Sequence, residues 1–172
     1  MCKICIFQIP IYQKGGTILR VILNKNDYDA VWDKILLEFK FRPSEEDWLS
    51  LPLTNKKYHL SEIWTEKQEK LINEIFKRSV MSQMYALDWQ HDCFIYDPHE
   101  DIALGYCYFD EGRDCNVYFP SYYPDGDFYF FISMDWKCGL FGHPWKSEIY
   151  VMGEPLIEEF DKSKDILKLS EI

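Results

Sequence analysis

The chain is poorest in positive charge where it is richest in negative charge. Between Tyr85 and Asp127 there is no lysine and one arginine, Arg113. Against it stand ten carboxylates: Asp88, Asp92, Asp97, Glu100, Asp101, Asp110, Glu111, Asp114, Asp125 and Asp127. This segment alone carries −9 of the chain's formal −10. Such a shortage of bases excludes a nucleic-acid footprint there, because phosphates are held by clustered Lys and Arg. No run approaches the ~18 apolar residues that span a bilayer, so no membrane segment is expected. Met1-Cys2-Lys3-Ile4-Cys5-Ile6-Phe7 is soon followed by Gln8 and Pro10, with no small-residue cleavage site, which is not the pattern of a signal peptide. The expected location is therefore cytoplasmic, where six irregularly spaced cysteines stay reduced. Cys2 and Cys5 lack the second pair or following helix that zinc or redox chemistry needs. Gly139-Leu140-Phe141-Gly142 lacks the lysine and the helix start of a phosphate loop. No motif calls for a cofactor, and there is no repeat, low-complexity run or linker.

What is present is a globular composition, 47% apolar and 17% aromatic over 172 residues, enough for one domain with a substantial core. Residues 2–9 and 17–23, with Lys14-Gly15-Gly16 between them, predict an N-terminal hairpin within 1–25. Tyr28, Val31, Trp32, Ile35 and Phe39 recur at helical spacing and predict a helix over 27–41, capped by Asn26 or Asp27 and stopped by Pro43. Residues 44–56 read as a loop anchored by Trp48 and Leu51, and 57–63 as a short strand. Thr65-Glu66-Lys67-Gln68 has the pattern of a capping box and predicts a second helix to Ser79, with Leu71, Ile72, Ile75 and Phe76 inward and Lys77 and Arg78 in the last turn. Tyr85 to Tyr96 alternates as one long strand. That would set Asp88, Gln90 and Asp92 in a row and turn His91 to the apolar face. Strands follow at 103–109, 116–123, 128–134 and 147–152, with Pro124-Asp125-Gly126-Asp127 as a hairpin turn. Gly153-Glu154-Pro155 opens a last helix burying Leu156, Ile157 and Phe160, and 161–172 reads as a charged tail. The expected fold is α+β: a mainly antiparallel sheet packed by two to three helices in a single domain over 1–172.

Several of these pieces recur together. Tyr85-Ala86-Leu87-Asp88-Trp89-Gln90-His91 with Pro98-His99, Phe119-Pro120, Pro124-Asp125-Gly126-Asp127 running into Tyr129-Phe130-Phe131, and Phe141-Gly142-His143-Pro144-Trp145 resemble a bacterial family known as domain of unknown function 2716. Val31-Trp32-Asp33-Lys34 and Phe41-Arg42-Pro43-Ser44 echo it more faintly. The likeness covers roughly residues 27–161. It implies one intact domain of bacterial origin and assigns neither an activity nor a catalytic residue.

Two functional constellations follow from the residues. The first is a non-catalytic docking face of Asp88, Gln90, Asp92, Glu100, Asp101, Asp110, Glu111 and Asp114. Its carboxylates would steer a basic protein partner while Tyr and Trp anchor it. An immunity-type inhibitor covering a basic effector is its most concrete form. The second is a hydrolase or metal-dependent enzyme in which His91, His99 and His143 converge with Asp88 or Asp92, or in which Cys93 or Cys138 is a nucleophile beside a histidine. The bland alternatives are a solvated acidic face, a buried His91, a turn-forming His143 and inert buried thiols. Self-association through the aromatic residues is a third reading.

Overall fold

The computed structural model describes residues 19–43, 49–100 and 107–172. Eight antiparallel strands form one sheet: β1 (Leu19–Val21), β2 (Asn55–Leu60), β3 (Met84–Asp88), β4 (Phe94–Tyr96), β7 (Tyr129–Ser133), β8 (Gly139–His143), β9 (Glu148–Met152) and β10 (Leu169–Glu171), in the order β1-β4-β3-β7-β8-β9-β2-β10. Strands β5 (Cys107–Asp110) and β6 (Cys115–Tyr118) pair in a second, two-stranded sheet. Helices α1 (Lys25–Glu38), α2 (Glu66–Ser79) and α3 (Glu154–Ser163) complete the α+β fold. Among the described residues no helix is long and apolar enough to cross a membrane.

The main sheet is covered on both faces, and β7 shows why. Its five residues are all buried. Tyr129 and Phe131 enter a core that also holds Ile72, Ile75 and Phe76 of α2, Leu156 and Phe160 of α3, and Val117 of β6. Phe130 and Ile132 point the other way, to Val31, Trp32 and Ile35 of α1 and to Phe39 and Phe41 beyond it. Period-two geometry sends neighbours to opposite faces. A strand apolar over four consecutive positions, Tyr129 to Ile132, therefore needs cover on both sides, and β7 has it. Each fully buried Phe contributes roughly 1.5–3 kcal/mol.

The helices follow their sequence signals. Thr65 and Gln68 form the expected capping box, with Thr65 N–H donating to Gln68 Oε1 at 2.8 Å and Gln68 N–H to Thr65 Oγ1 at 3.4 Å. For α1 the cap is Asn24 rather than Asn26 or Asp27. Its Oδ1 accepts from both of those amides, at 2.9 and 3.3 Å, so these residues receive the cap and do not supply it. Lys40, with φ 49, turns the chain sharply after α1 and drops Phe41 into the core.

Four expectations change. The predicted strand over 85–96 is two strands, β3 and β4, folded back on one another across a turn at 89–93, with Ala86 opposite Phe94. Asp88 makes the turn, accepting from the Gln90 amide at 3.4 Å through Oδ1 and from Cys93 Sγ through its carbonyl. The alternating pattern runs on through the turn, which conceals it. Pro124-Asp125-Gly126-Asp127 is not a hairpin turn, since β6 and β7 lie in different sheets and Gly126 does not adopt positive φ. It is the last stretch of a crossing loop. Gly139–His143 is a strand, β8. The charged tail ends in β10, paired to β2, with Leu167 fully buried beneath it. Of the N-terminal hairpin, the second strand is β1, at the sheet edge against β4. Its partner at 2–9, the Cys2–Cys5 pair, Trp48, Asp101 and the start of the 103–109 strand lie outside the described residues.

Candidate functional site

The antiparallel pairing of β3 with β7 places Asp88 opposite Tyr129. The turn after β3 and the loop before β7 therefore meet at one end of the sheet. There they frame an open cleft of about 480 Å³ lined by Asp88, Gln90, His91, Asp92, Asn116, Tyr118 and Tyr129. Asp88, Tyr129 and the inner residues of β6 all lie on the α2/α3 face of the main sheet.

Asp88 and His91 line the cleft, and Asp127 stands beside them. His91 Nδ1 stands 3.0 Å from Asp88 Oδ1 and 3.6 Å from Asp127 Oδ2. The two carboxyl side chains are only 9% and 8% exposed, whereas His91 is 68% exposed. Burial pushes the Asp88 carboxyl up to about 6, helped by the neighbouring Asp127 charge and opposed by His91. His91 is raised in turn, first by its contact with Asp88. Two carboxylates crowded in low dielectric against one imidazole explain both directions.

The loop that delivers Asp127 is held at three points. Glu69 of α2 accepts from Ser121 Oγ at 2.8 Å and from the Tyr122 and Tyr123 amides at 2.9 and 2.8 Å. Tyr129 donates its hydroxyl to Asp125 at 2.7 Å. Pro124 lies so close over Gly142 of β8 that a Cβ there would stand 2.8 Å from the proline's own Cβ. Glycine is required at 142 because the loop rests on its backbone. On the other face, Phe128 meets His143 and Trp145 with ring centroids 5.0 and 4.7 Å apart. The Trp-Gln-His, Pro-Asp-Gly-Asp and Gly-His-Pro-Trp pieces, far apart in sequence, thus converge on this end of the sheet.

One wall of the cleft belongs to the small sheet. Arg113 binds Asp92 through Nη1 at 2.6 Å and Asp110 through Nε at 2.8 Å. The β5–β6 turn is thereby fastened to the β3–β4 turn. Asp110 also accepts from the Gly112 and Arg113 amides, and its carboxyl is held below the usual range, chiefly by Arg113. The alternation of β5 and β6 puts Cys107, Phe109, Asn116 and Tyr118 on one outer face, where Phe109 and Tyr118 are 55% and 60% exposed.

The residues expected to act together are thus divided. Asp88, Gln90 and Asp92 do not form a strand row; they share the turn and line the cleft. Asp110 is buried, and Glu111 and Asp114 are exposed on the adjoining turn. Glu100 lies beyond the far end of β4, away from the cleft, in the turn where Asp97 holds His99 by its amide and its Nδ1, both at 2.9 Å. The three histidines do not converge. His91 is not on an apolar strand face but exposed in the turn. His99 is paired with Asp97. His143 is buried on the opposite face of the sheet, where burial keeps its imidazole below its ordinary value. The Cys93 thiol is pushed up to about 11 and that of Cys138 is also raised, both by burial. A nucleophilic thiol needs the opposite shift. Sequence reasoning missed Asp127, Asn116, Tyr118 and Tyr129. Asp127 carries a signal, its place in Pro-Asp-Gly-Asp, but that pattern reads as a tight turn.

An α+β domain with two covered sheet faces and a polar cleft at one sheet end is the class these features define. The chain matches the family described as "Protein of unknown function (DUF2716)" over residues 22–157 and belongs to it. It is similar to the "Uncharacterized protein YxiI" of Bacillus subtilis (strain 168), 43% identical over 84 residues. That match spans 49% of this chain and 47% of the Bacillus protein, so it covers about half the length of that relative. No solved structure matches.

Proposed function

We propose that this domain is a non-catalytic bacterial interaction module that docks a basic protein partner on the outer face of β5–β6 and the two turns beside it. In its most concrete form it is an immunity-type inhibitor that covers a basic effector. The observation that carries the proposal is the conjunction of two exposed aromatic rings, Phe109 and Tyr118, with the exposed carboxylates Glu111 and Asp114, on a turn whose one base, Arg113, is already engaged by Asp92 and Asp110. Apolar rings supply rigid contact area at modest entropic cost. Carboxylates without a free base beside them draw in and orient a cationic surface. The β7 aromatics are buried on both faces and so offer no surface for self-association.

The test is affinity capture from the native host at low salt, followed by binding of the captured protein in purified form. A basic protein is expected, with affinity falling about tenfold or more between 0.05 and 0.3 M salt as charges further apart than ~8 Å become screened. A Glu111→Lys/Asp114→Lys variant should lose that binding while unfolding at the parent's temperature. Capture that is indifferent to both salt and these reversals would sink the reading.

A further inference from the structure

We infer that Asp88, His91 and Asp127 form a binding site for a single divalent transition-metal ion of the kind that accepts mixed oxygen and nitrogen donors, such as Mn²⁺ or Zn²⁺. One donor atom from each residue lies within 4.8 Å of the other two. His91 Nδ1 is 3.0 Å from Asp88 Oδ1 and 3.6 Å from Asp127 Oδ2. Donors bound at roughly 2.0–2.2 Å to one ion stand about 3–4 Å apart, so two of the three separations already suit coordination. The third is no more than 4.8 Å.

The second observation is the state of Asp127. Its side chain is more than nine-tenths buried. Oδ1 accepts from the Phe128 amide at 2.7 Å. Among the described residues no hydrogen bond reaches Oδ2, which is turned toward Asp88 and His91. This oxygen is not sealed from solvent, so a cation can reach it, and among the described residues no donor competes for it. Among the described residues no Lys or Arg lines the cleft, and Arg113 beside it is committed to Asp92 and Asp110. Among the described residues the base on the cluster is His91, whose single Nδ1 serves both carboxylates and which is itself a metal ligand when neutral.

The donor set selects the class of ion. Two carboxylates and an imidazole suit Mn²⁺ and Zn²⁺, while the absence of thiolate disfavours softer ions. Three protein donors leave the remaining coordination positions facing the open cleft, beside Gln90, Asn116 and Tyr118. Water or a ligand's oxygen would fill them. The inference does not depend on the docking reading: the ion is held by Asp88, His91 and Asp127, whereas that reading rests on Phe109, Tyr118, Glu111 and Asp114, with Tyr118 and the turn carrying His91 bordering both.

The experiment is calorimetric titration of the chelator-treated full chain with MnCl₂ and, separately, ZnCl₂, alongside electron spin-echo spectroscopy of the Mn²⁺ form. One equivalent should bind with a micromolar Kd, and the spectrum should carry the ¹⁴N modulation of one coordinated imidazole. His91→Ala removes an exposed side chain and should leave the fold intact. It should weaken binding at least about tenfold, on the scale that even indirect ligand support can command, and abolish the ¹⁴N signal. Asp127→Asn should weaken binding similarly, whereas Glu111→Gln/Asp114→Asn should bind as the parent does. Binding that is only millimolar, or that falls equally in the outer-face variant, would overturn the assignment, as would an unchanged His91→Ala titration. Partner capture repeated in chelator separates the two proposals, since loss of the metal site leaves the docking prediction standing.

Discussion

Phe41→Ala is expected to cost about 4 kcal/mol, within the ~3–5 kcal/mol typical of emptying a buried aromatic site. For a domain of this size that lowers the melting temperature by on the order of 8–16 °C. Phe41 is fully buried. Its ring meets Trp89 at 4.9 Å, Phe130 at 5.1 Å and Phe128 at 5.4 Å, all edge-to-face, with Trp32 and Phe141 at 6.2 Å. Edge-to-face pairs add about 0.5–1.5 kcal/mol each beyond the area they bury. Five neighbours cannot all collapse into the hole one ring leaves. The loss should also reach the cleft. Trp89 opens the turn that carries His91, Phe128 follows Asp127, and the Trp89 amide donates to the Phe128 carbonyl at 3.2 Å. Denaturant unfolding measures the first effect. Hydrogen exchange at the Trp89 amide measures the second, with protection dropping further than the global stability loss accounts for. If exchange there falls only in step with global stability, Phe41 supports the core and not the turn.

Glu69→Ala is the second large effect, at about 3–5 kcal/mol, because it strands donors that its carboxylate now satisfies. The Tyr122 and Tyr123 amides and the Ser121 hydroxyl all point at this one side chain, which is 7% exposed. Glu69→Gln, keeping one acceptor but presenting an amide N–H₂ to donors, should cost less, on the order of 1–2 kcal/mol. The pH dependence separates charge from hydrogen bonding. Desolvation raises the Glu69 carboxyl despite the three bonds that oppose it. A folded-state value above the unfolded one, about 4.3, means the folded protein binds the proton more tightly. Glu69 therefore adds stability below that pH and loses it as pH rises through the folded value. The parent should lose more stability than Glu69→Gln as pH climbs from about 4 to neutrality. Equal slopes for parent and variant would show that the carboxylate is not desolvated as its burial implies.

The helices were legible because each announces itself locally. α2 has an apolar stripe and a capping box, and α3 opens on Glu154-Pro155 after Gly153, whose φ of 89 an L-residue resists. The strands were less so. β8 is buried at every position and contains two glycines, so neither alternation nor β-branching marks it. β10 is short and carries Ser170 and Glu171 outward. In the site, Asp88 and His91 could be singled out by residue type, although a continuous strand would have put them on opposite faces. Asp127 could not be joined to them, since what brings it there is the β3–β7 pairing. Local patterns carry no information about a register set by distant packing. The same reason hid the division of the acidic segment between a buried carboxylate pair, an Arg113-bound wall and an exposed turn.

The strand order bears on how such a chain reaches its native state. β2 is formed by residues 55–60 but lies between β9 and β10, which come from residues 148–152 and 169–171. In a chain emerging from the ribosome, β2 has neither sheet neighbour until almost everything else has been made. Its Tyr58 hydroxyl waits for Asp161 of α3 at 2.8 Å, and its Lys56 ammonium longer still, for Glu171 of β10 at 3.0 Å. β3 and β4 follow one another closely, as do β7 and β8, and each pair can form as it appears. Closing the long loop to β2 is then the late, slow step that high contact order imposes, and until it happens both edges of β2 are open to other chains.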